Sequence, residues 1–169
     1  MTKVKICGLK TIKDIQAVNR WKPDFAGFVF APGKRQITPG HAAELRRSLD
    51  PGIQAVGVFV NAPVEEAAAL SNTGVIQLIQ LHGDEDAVYM EELRKRTDKP
   101  LIKAVAARSQ EEILKAEKLP CEYLLLDAYQ KGSPGGNGET FDWNIIPPLK
   151  KNWFLAGGLS CLLYTSPSP

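Results

Sequence analysis

The sequence predicts an α/β fold of alternating strands and helices, and it favours a (β/α)8 barrel over a doubly wound open sheet. Strand-like apolar runs and helix-like segments alternate at intervals of roughly 20–30 residues, the pattern of βα units with a parallel sheet. Single polar residues, Lys5, Gln80 and Lys103, interrupt three of the apolar runs, and in a barrel such side chains can point into the interior. No strand–GxGxxG–helix unit follows the first strand, which argues against a dinucleotide-binding sheet.

Composition and charge are those of an ordinary globular domain. The chain has 169 residues, of which 44% are hydrophobic and 24% charged, with a net charge of +2. This balance gives no reason to expect nucleic acid or a membrane as partner, and neither a membrane span nor a signal peptide is recognisable. The three cysteines, Cys7, Cys121 and Cys161, are too far apart for a metal motif or a disulfide framework, so we expect a reduced, cytoplasmic protein.

Seven apolar runs are predicted to be strands, one fewer than a closed barrel requires. They cover residues 3–7, 24–30, 54–60, 75–83, 101–106, 122–128 and 153–158. The glycine-rich segment 132–143 follows the sixth strand and, by itself, is typical of a linker or lid.

Capping residues predict where the helices between these strands begin. The first predicted helix runs from Thr11, with Asp14 in a capping box, to about Trp21, and the second from Thr38-Pro39 to about Leu49. The third covers 63–72 with Asn61 as its cap, and the fourth runs from the end of the fourth strand to about Arg96. The fifth begins at a capping box of Ser109 and Glu112.

Residues able to carry chemistry occur where the predicted strands end. In a barrel the active site lies at the carboxyl ends of the strands. The residues found there are Cys7, Arg35, His82, Asp127 and the pair Gly157-Gly158. A thiol, a guanidinium, a carboxylate and a glycine turn in one place would suit acid–base chemistry on a phosphorylated anion.

Motifs through residue 160 resemble those of the phosphoribosylanthranilate isomerase family. They are KICGLK at 5–10, DFAGFVF with KRQITP within 24–39, VGVFVN at 56–61, IQLHGDE at 79–85, LIKAV at 101–105, LLLDA at 124–128, GGNGETFDW at 135–143 and LAGGLS at 155–160. The resemblance implies a (β/α)8 barrel that converts N-(5-phosphoribosyl)anthranilate to 1-(2-carboxyphenylamino)-1-deoxyribulose 5-phosphate in tryptophan biosynthesis. It implies no cofactor and no metal.

The resemblance also implies roles for individual residues. Cys7 would be the general base, Asp127 the general acid, Arg35 the residue that positions the anthranilate, and Gly157, Gly158 and Leu159 part of the phosphate site. The acid protonates the furanose oxygen and opens the ring to a Schiff base; the base then removes the proton on C2′. Lys5, on the same side of its strand as Cys7, and Arg35 are the cations that could favour the thiolate.

Each of these residues also has a plain structural interpretation. Cys7 could be a small buried hydrophobe, Asp127 a helix cap or turn residue, and Arg35 a solvated cation beside Lys34. His82 could bind substrate or hydrogen-bond only to its own loop. Two other function classes therefore stay open: a phosphate-ligand-binding α/β module without catalysis, and a flavodoxin-like or response-regulator-like protein with a switch point in its strand order.

The resemblance stops after Ser160. We expect residues 1–160 to form an incomplete barrel domain and 161–169 to be a foreign-looking tail, because nine residues with two prolines cannot supply a helix, an eighth strand and another helix. The expected consequences for the chain as written are a half-built phosphate site, little or no turnover, and aggregation through the open edges of the first and seventh strands.

Overall fold

The computed structural model describes residues 2–128, 142–157 and 159. The chain divides into two compact units, Met1–Ile102 and Lys103–Pro169. Several residues singled out above lie outside the described ranges, namely the glycine-rich segment up to residue 141, Gly158, Cys161 and the tail 161–169.

The first unit is a run of four βα repeats. Its elements are β1 (Lys5–Cys7), α1 (Ile12–Trp21), β2 (Phe25–Val29), α2 (Pro39–Ser48), β3 (Gln54–Phe59), α3 (Val64–Asn72), β4 (Leu78–Leu81) and α4 (Ala87–Arg94), followed by the start of β5 (Leu101–Ala106). Neighbouring strands from β1 to β4 pair in parallel.

The second unit continues the same alternation. It holds the rest of β5, then α5 (Gln110–Glu117), β6 (Tyr123–Asp127), a short 3-10 turn at Trp143–Ile145, and β7 (Asn152–Leu155), which is parallel to β6. Hydrogen bonds connect the strands in chain order from β1 to β7. This order confirms the α/β class and the strand succession of a (β/α)8 barrel, and it excludes a doubly wound sheet, which has a switch point.

Three predicted helix caps are present. The Thr11 hydroxyl accepts a hydrogen bond from the Asp14 amide at 3.2 Å, and the Asp14 carboxylate accepts one from the Thr11 amide at 2.8 Å, which completes the capping box. The Thr38 hydroxyl accepts a hydrogen bond from the His41 amide at the start of α2, and the Ser109 hydroxyl accepts one from the Glu112 amide at the start of α5, each at 3.2 Å. Of the predicted capping box of Ser109 and Glu112, this is the bond that the described residues show. These hydrogen bonds satisfy amides that the helix itself leaves free, so local sequence fixes where α1, α2 and α5 begin.

The predicted cap of α3 is wrong. The helix follows Pro63, and no side chain in the described part of the chain caps it. Asn61 has a left-handed backbone with φ of 51°, and its Oδ1 accepts a hydrogen bond from the Asp84 amide at 2.7 Å. Asparagine tolerates this conformation better than most residues do, and its side chain is used to join two loops rather than to start a helix.

The fourth strand is shorter than the predicted run 75–83. Gln77 precedes β4, where its Oε1 accepts a hydrogen bond from the Ala55 amide at 2.9 Å and its Nε2 donates to the Gly74 carbonyl at 3.0 Å. A glutamine side chain thus replaces part of the backbone ladder at the start of this run, and the regular strand begins at Leu78.

The sheet of the first unit has two different faces. One face carries, in register, Cys7, Gly27, Val56 and Leu78, followed by Val58 and Gln80 toward the carboxyl ends. The other carries Ala26, Phe28, Ala55, Ile79 and Leu81, each 0% exposed. The Cys7 face is buried as well from β3 to β4, since Val56 is 0% and Leu78 and Gln80 are each 2% exposed, so these strands are covered on both sides, as is usual in a parallel sheet.

Candidate active site

The Cys7 thiol lies at the carboxyl end of β1, directly beside Gly27 of β2. Cys7 pairs in register with Gly27, and its side chain is half-buried. Gly8 then turns the chain with φ of 93°, and the amides of Gly8 and Leu9 both donate to the Gly27 carbonyl, at 2.9 and 3.1 Å. A residue with a side chain would be strained in this turn, so the glycine after Cys7 is what ends the strand at the thiol.

Gly27 supplies the space that the thiol occupies. A Cβ atom added to Gly27 would lie 2.6 Å from the Cys7 sulfur, closer than such atoms approach, and 3.1 Å from the Cys7 Cβ, which is a tight contact. Glycine inside a strand often marks a close approach of another group. Here that group is Cys7, and the sequence analysis did not foresee this role for Gly27.

Arg35 packs over the turn that follows Cys7. A Cβ at Gly8 would lie 2.6 Å from Cδ of Arg35, so the aliphatic part of the arginine covers this glycine. The backbone of Lys34, just before Arg35, is fixed by a hydrogen bond that the Lys10 ammonium donates to the Lys34 carbonyl at 2.7 Å. The structure therefore places Arg35 beside the loop that leaves Cys7, with its side chain exposed to solvent.

His82 follows β4 and is half-buried. Its amide donates to the Phe59 carbonyl at 2.8 Å, which extends the pairing of β4 with β3 by one residue. Its ring nitrogen Nδ1 lies 2.7 Å from Nε2 of Gln80, two residues earlier on the same side of the strand. The backbone and the ring of His82 are thus both held in place.

A buried carboxylate joins the loops after β3 and β4. Glu85 is 5% exposed; its Oε1 accepts a hydrogen bond from the Asn61 amide at 2.7 Å, and its Oε2 accepts one from the Gly83 amide at 2.9 Å. Together with the bond from the Asp84 amide to Asn61, these contacts form what we call the Glu85 clamp. Sequence reasoning missed it, although an acidic residue one position before the Asp86 cap of α4 was an available signal.

Tyr89 extends the same region. Burial, and then the negative charge of Glu85, raise the pKa of Tyr89 to about 12, so the phenol stays protonated under ordinary conditions. Its hydroxyl donates to the Ala62 carbonyl at 2.9 Å and thereby holds the loop after β3 from the side of α4.

In the second unit, Asp127 ends β6 and lies against the glycine turn after β7. Gly157 has φ of 84°, and a Cβ there would lie 2.7 Å from Oδ1 of Asp127 and 2.6 Å from Cβ of Ala128. The Ala156 amide donates to the Leu126 carbonyl at 2.8 Å and sets this contact. The structure thus brings Asp127 and Gly157 together, and it places Leu159 with 55% of its surface exposed.

The two described cysteines differ in their surroundings. Cys121 is 7% exposed, and burial raises the pKa of its thiol, while the Lys151 ammonium at 3.8 Å partly opposes this effect. Since the thiolate is the reactive form, Cys121 should react with iodoacetamide at least about tenfold more slowly than Cys7 at pH 8. Peptide mass spectrometry over a time course measures both rates, and equal rates would contradict the burial of Cys121.

The described ranges, 2–128, 142–157 and 159, contain neither a metal-ligand cluster nor a membrane-spanning helix. Within them, no three His, Cys, Asp or Glu side chains come together as metal ligands. None of the helices in that part of the chain is long and apolar enough to cross a membrane.

Comparison with known proteins points to one family. The family model of N-(5′-phosphoribosyl)anthranilate isomerase matches residues 4–162. The curated N-(5′-phosphoribosyl)anthranilate isomerase of Lachnoclostridium phytofermentans is 46% identical over 171 aligned positions, which cover 94% of this chain and 78% of the relative.

Solved structures agree with the sequence match. The phosphoribosylanthranilate isomerase of Thermotoga maritima superposes with a TM-score of 0.81 at 33% identity, over 94% of this chain and 78% of that one. Another, solved in complex with reduced 1-(o-carboxyphenylamino)-1-deoxyribulose 5-phosphate, has a TM-score of 0.72 at 30% identity and covers 94% and 77% of the two chains. The chain therefore belongs to the N-(5′-phosphoribosyl)anthranilate isomerase family.

Proposed function

We propose that the chain is an isomerase of tryptophan biosynthesis that rearranges N-(5-phosphoribosyl)anthranilate to 1-(2-carboxyphenylamino)-1-deoxyribulose 5-phosphate. The observation that carries the proposal is the thiol of Cys7. In a chain of this family, it is half-buried at the end of a strand, in space left by Gly27. The solved relative that holds the reduced phosphorylated compound supports a small phosphorylated molecule as the ligand of this chain.

Asp127 is the proposed general acid. It would give its proton to the furanose ring oxygen, whose bond to C1′ breaks as the anthranilate nitrogen forms the Schiff base. The half-buried carboxyl is held against Gly157 rather than swinging freely in solvent, which suits a group that must meet one oxygen atom.

Cys7 is the proposed general base. As a thiolate it would remove the proton from C2′, and the electron pair of that C–H bond would move toward the protonated imine to give the enolamine, which tautomerises to the ketone. Ring opening and C2′ deprotonation are each assisted by one proton transfer, so an acid and a base on two side chains are sufficient chemistry.

The remaining predicted residues are proposed to bind rather than to react. Arg35 would position the anthranilate carboxylate by a charge-assisted hydrogen bond, and His82 would contact the substrate from the end of β4. The phosphate would lie at the turn of Gly157, Gly158 and Leu159, where backbone amides can point at an anion. The cytoplasmic location stays a prediction.

A turnover assay tests the proposal. Because the chain covers 78% of the Lachnoclostridium phytofermentans relative, the assay uses both the chain as given and a hybrid in which residues 1–157 are followed by the remaining carboxyl-terminal part of that relative. Fluorescence of the anthranilate substrate reports its consumption. Turnover that depends on Cys7 supports an isomerase, whereas ligand binding that survives Cys7→Ala and Asp127→Asn with no turnover in the hybrid would mark a non-catalytic binding module.

Gly27→Ala should damage catalysis without unfolding the protein. The added methyl group would lie 2.6 Å from the Cys7 sulfur, so the thiol must move to a different position. Because a displacement of about 1 Å can cost up to a hundredfold in rate, we expect kcat to fall at least about tenfold. Steady-state kinetics measures the loss, with circular dichroism to check the fold.

Gly40→Ala is the matched control. Apart from its chain neighbours and the backbone of its own helix, no atom of the described residues lies within 4 Å of a Cβ at this position, which is inside α2. Alanine should therefore leave kcat unchanged and should not weaken the helix. If Gly27→Ala and Gly40→Ala had the same kcat, the proposed contact between Gly27 and the catalytic thiol would have no functional meaning.

A further inference from the structure

Gln80 is a polar side chain in an otherwise apolar strand. It lies in β4 between Ile79 and Leu81, both 0% exposed, and is itself only 2% exposed. Its Oε1 is buried and has no hydrogen-bond partner among the residues that the structure describes. A buried amide oxygen without a partner weakens a folded protein, and a methionine of similar size would avoid that cost. Packing therefore does not explain a glutamine at this position.

The contact made by the amide nitrogen of Gln80 explains why a glutamine is present at this position. Nε2 of Gln80 lies 2.7 Å from Nδ1 of His82. An amide nitrogen only donates hydrogen bonds, so Nδ1 must accept, and the single proton of the neutral imidazole must then be on Nε2. Gln80 thus selects one of the two tautomers of His82.

His82 lies at the carboxyl end of β4, where the choice of tautomer decides whether its ring offers a hydrogen-bond donor or an acceptor. Alternate residues of a strand share a face, so Gln80 lies on the face of Cys7 and Gly27. The His82 ring contacts Gln80 and therefore lies at the carboxyl end of the same face. The His82 amide is bonded to the Phe59 carbonyl, and the amide of the next residue, Gly83, is bonded to Glu85. With the backbone fixed on both sides, the contact with Gln80 sets the orientation of the ring.

We propose that Gln80 is a positioning residue for the isomerase reaction: it holds His82 as the Nε2–H tautomer, so that His82 offers a hydrogen-bond donor to an oxygen of the substrate. The role of His82 toward a substrate rests on the proposed function. The assignment of its tautomer rests on the hydrogen-bond geometry. Gln80 itself takes no part in proton transfer.

Nitrogen NMR of the protein without substrate tests the tautomer. The chain has two histidines, and His41→Gln assigns the signals of His82 by elimination. In the parent protein we expect a pyridine-like Nδ1 and a protonated, pyrrole-like Nε2. In Gln80→Glu the carboxylate can only accept, so Nδ1 should become protonated. Leu78→Met, on the same face one pair earlier in β4, is the matched control and should leave both signals unchanged.

Kinetics in the hybrid chain tests the link to the reaction. Gln80→Met and Gln80→Glu should each lower kcat/KM at least about tenfold, and Gln80→Met should cause no further loss in a His82→Ala background because the two residues act together. A protonated Nδ1 in the parent, or additive losses in the double variant, would overturn the proposal. A parent hybrid without turnover would defeat the proposed function instead, while the NMR result would still decide the tautomer.

Discussion

Replacing Cys7 with alanine should lower kcat at least about a hundredfold, because general-base catalysis typically contributes two to four powers of ten. Alanine removes the sulfur but not the strand: β1 pairs with β2 through backbone groups, and the turn at Gly8 is set by amides that donate to the Gly27 carbonyl. KM should therefore change little. Steady-state kinetics in the hybrid chain, with the thermal unfolding midpoint as a check on folding, measures both quantities.

Cys121→Ala is the control for Cys7→Ala. It removes a second thiol that is more deeply buried and belongs to the other unit of the chain. Its kcat should equal that of the parent, with at most some loss of stability from the cavity. A Cys7→Ala variant as active as Cys121→Ala would remove Cys7 from the mechanism.

Asp127→Asn should also lower kcat at least about a hundredfold, for a different reason. Asparagine has nearly the same shape and keeps the contact with Gly157, but it cannot give up a proton to the ring oxygen at neutral pH. The substitution should slow the ring-opening step. A substrate analogue that is already an open-chain Schiff base bypasses this step, so its turnover should fall much less. Single-turnover kinetics with substrate and analogue separates the two steps.

Asp98→Asn provides the corresponding control on the surface. Its side chain is 94% exposed and forms a 4.0 Å ion pair with Lys99, and such exposed pairs contribute little. Parent-like turnover is expected. If Asp127→Asn lost no more activity than Asp98→Asn, the interpretation of Asp127 as a turn residue would replace its proposed role as the acid.

Much of the fold could be predicted because its signals are local. The run 101–106 is β5 as observed, and Thr11, Thr38 and Ser109 cap their helices because each binds an amide three residues away. Asn61 shows the limit of such signals. Its capping chemistry was recognised, but its hydrogen-bond partner, Asp84, is 23 residues away, and nothing near Asn61 reveals that the partner lies in another loop.

The candidate site divides in the same way. Cys7, His82 and Asp127 could be selected because they end apolar runs, and strand ends form one rim of a parallel sheet. The contacts of Gly27 and Gln80 could not be predicted from the sequence. The register that sets Gly27 against the Cys7 sulfur depends on how β1 pairs with β2, and the orientation of the Gln80 amide depends on where the His82 ring lies. Both are properties of packing in three dimensions.

The Glu85 clamp has a consequence for protein engineering. Glu85 binds the Asn61 and Gly83 amides with its two oxygens, while Asn61 binds Asp84, so donors and acceptors are shared between the loop after β3 and the loop after β4. A design that grafts a foreign loop into either position alone would disturb the two hydrogen bonds that join the loops, from the Asn61 amide to Glu85 and from the Asp84 amide to Asn61. Residues 60–62 and 82–86 thus form one module, to be exchanged together whenever this rim is rebuilt for another sugar phosphate.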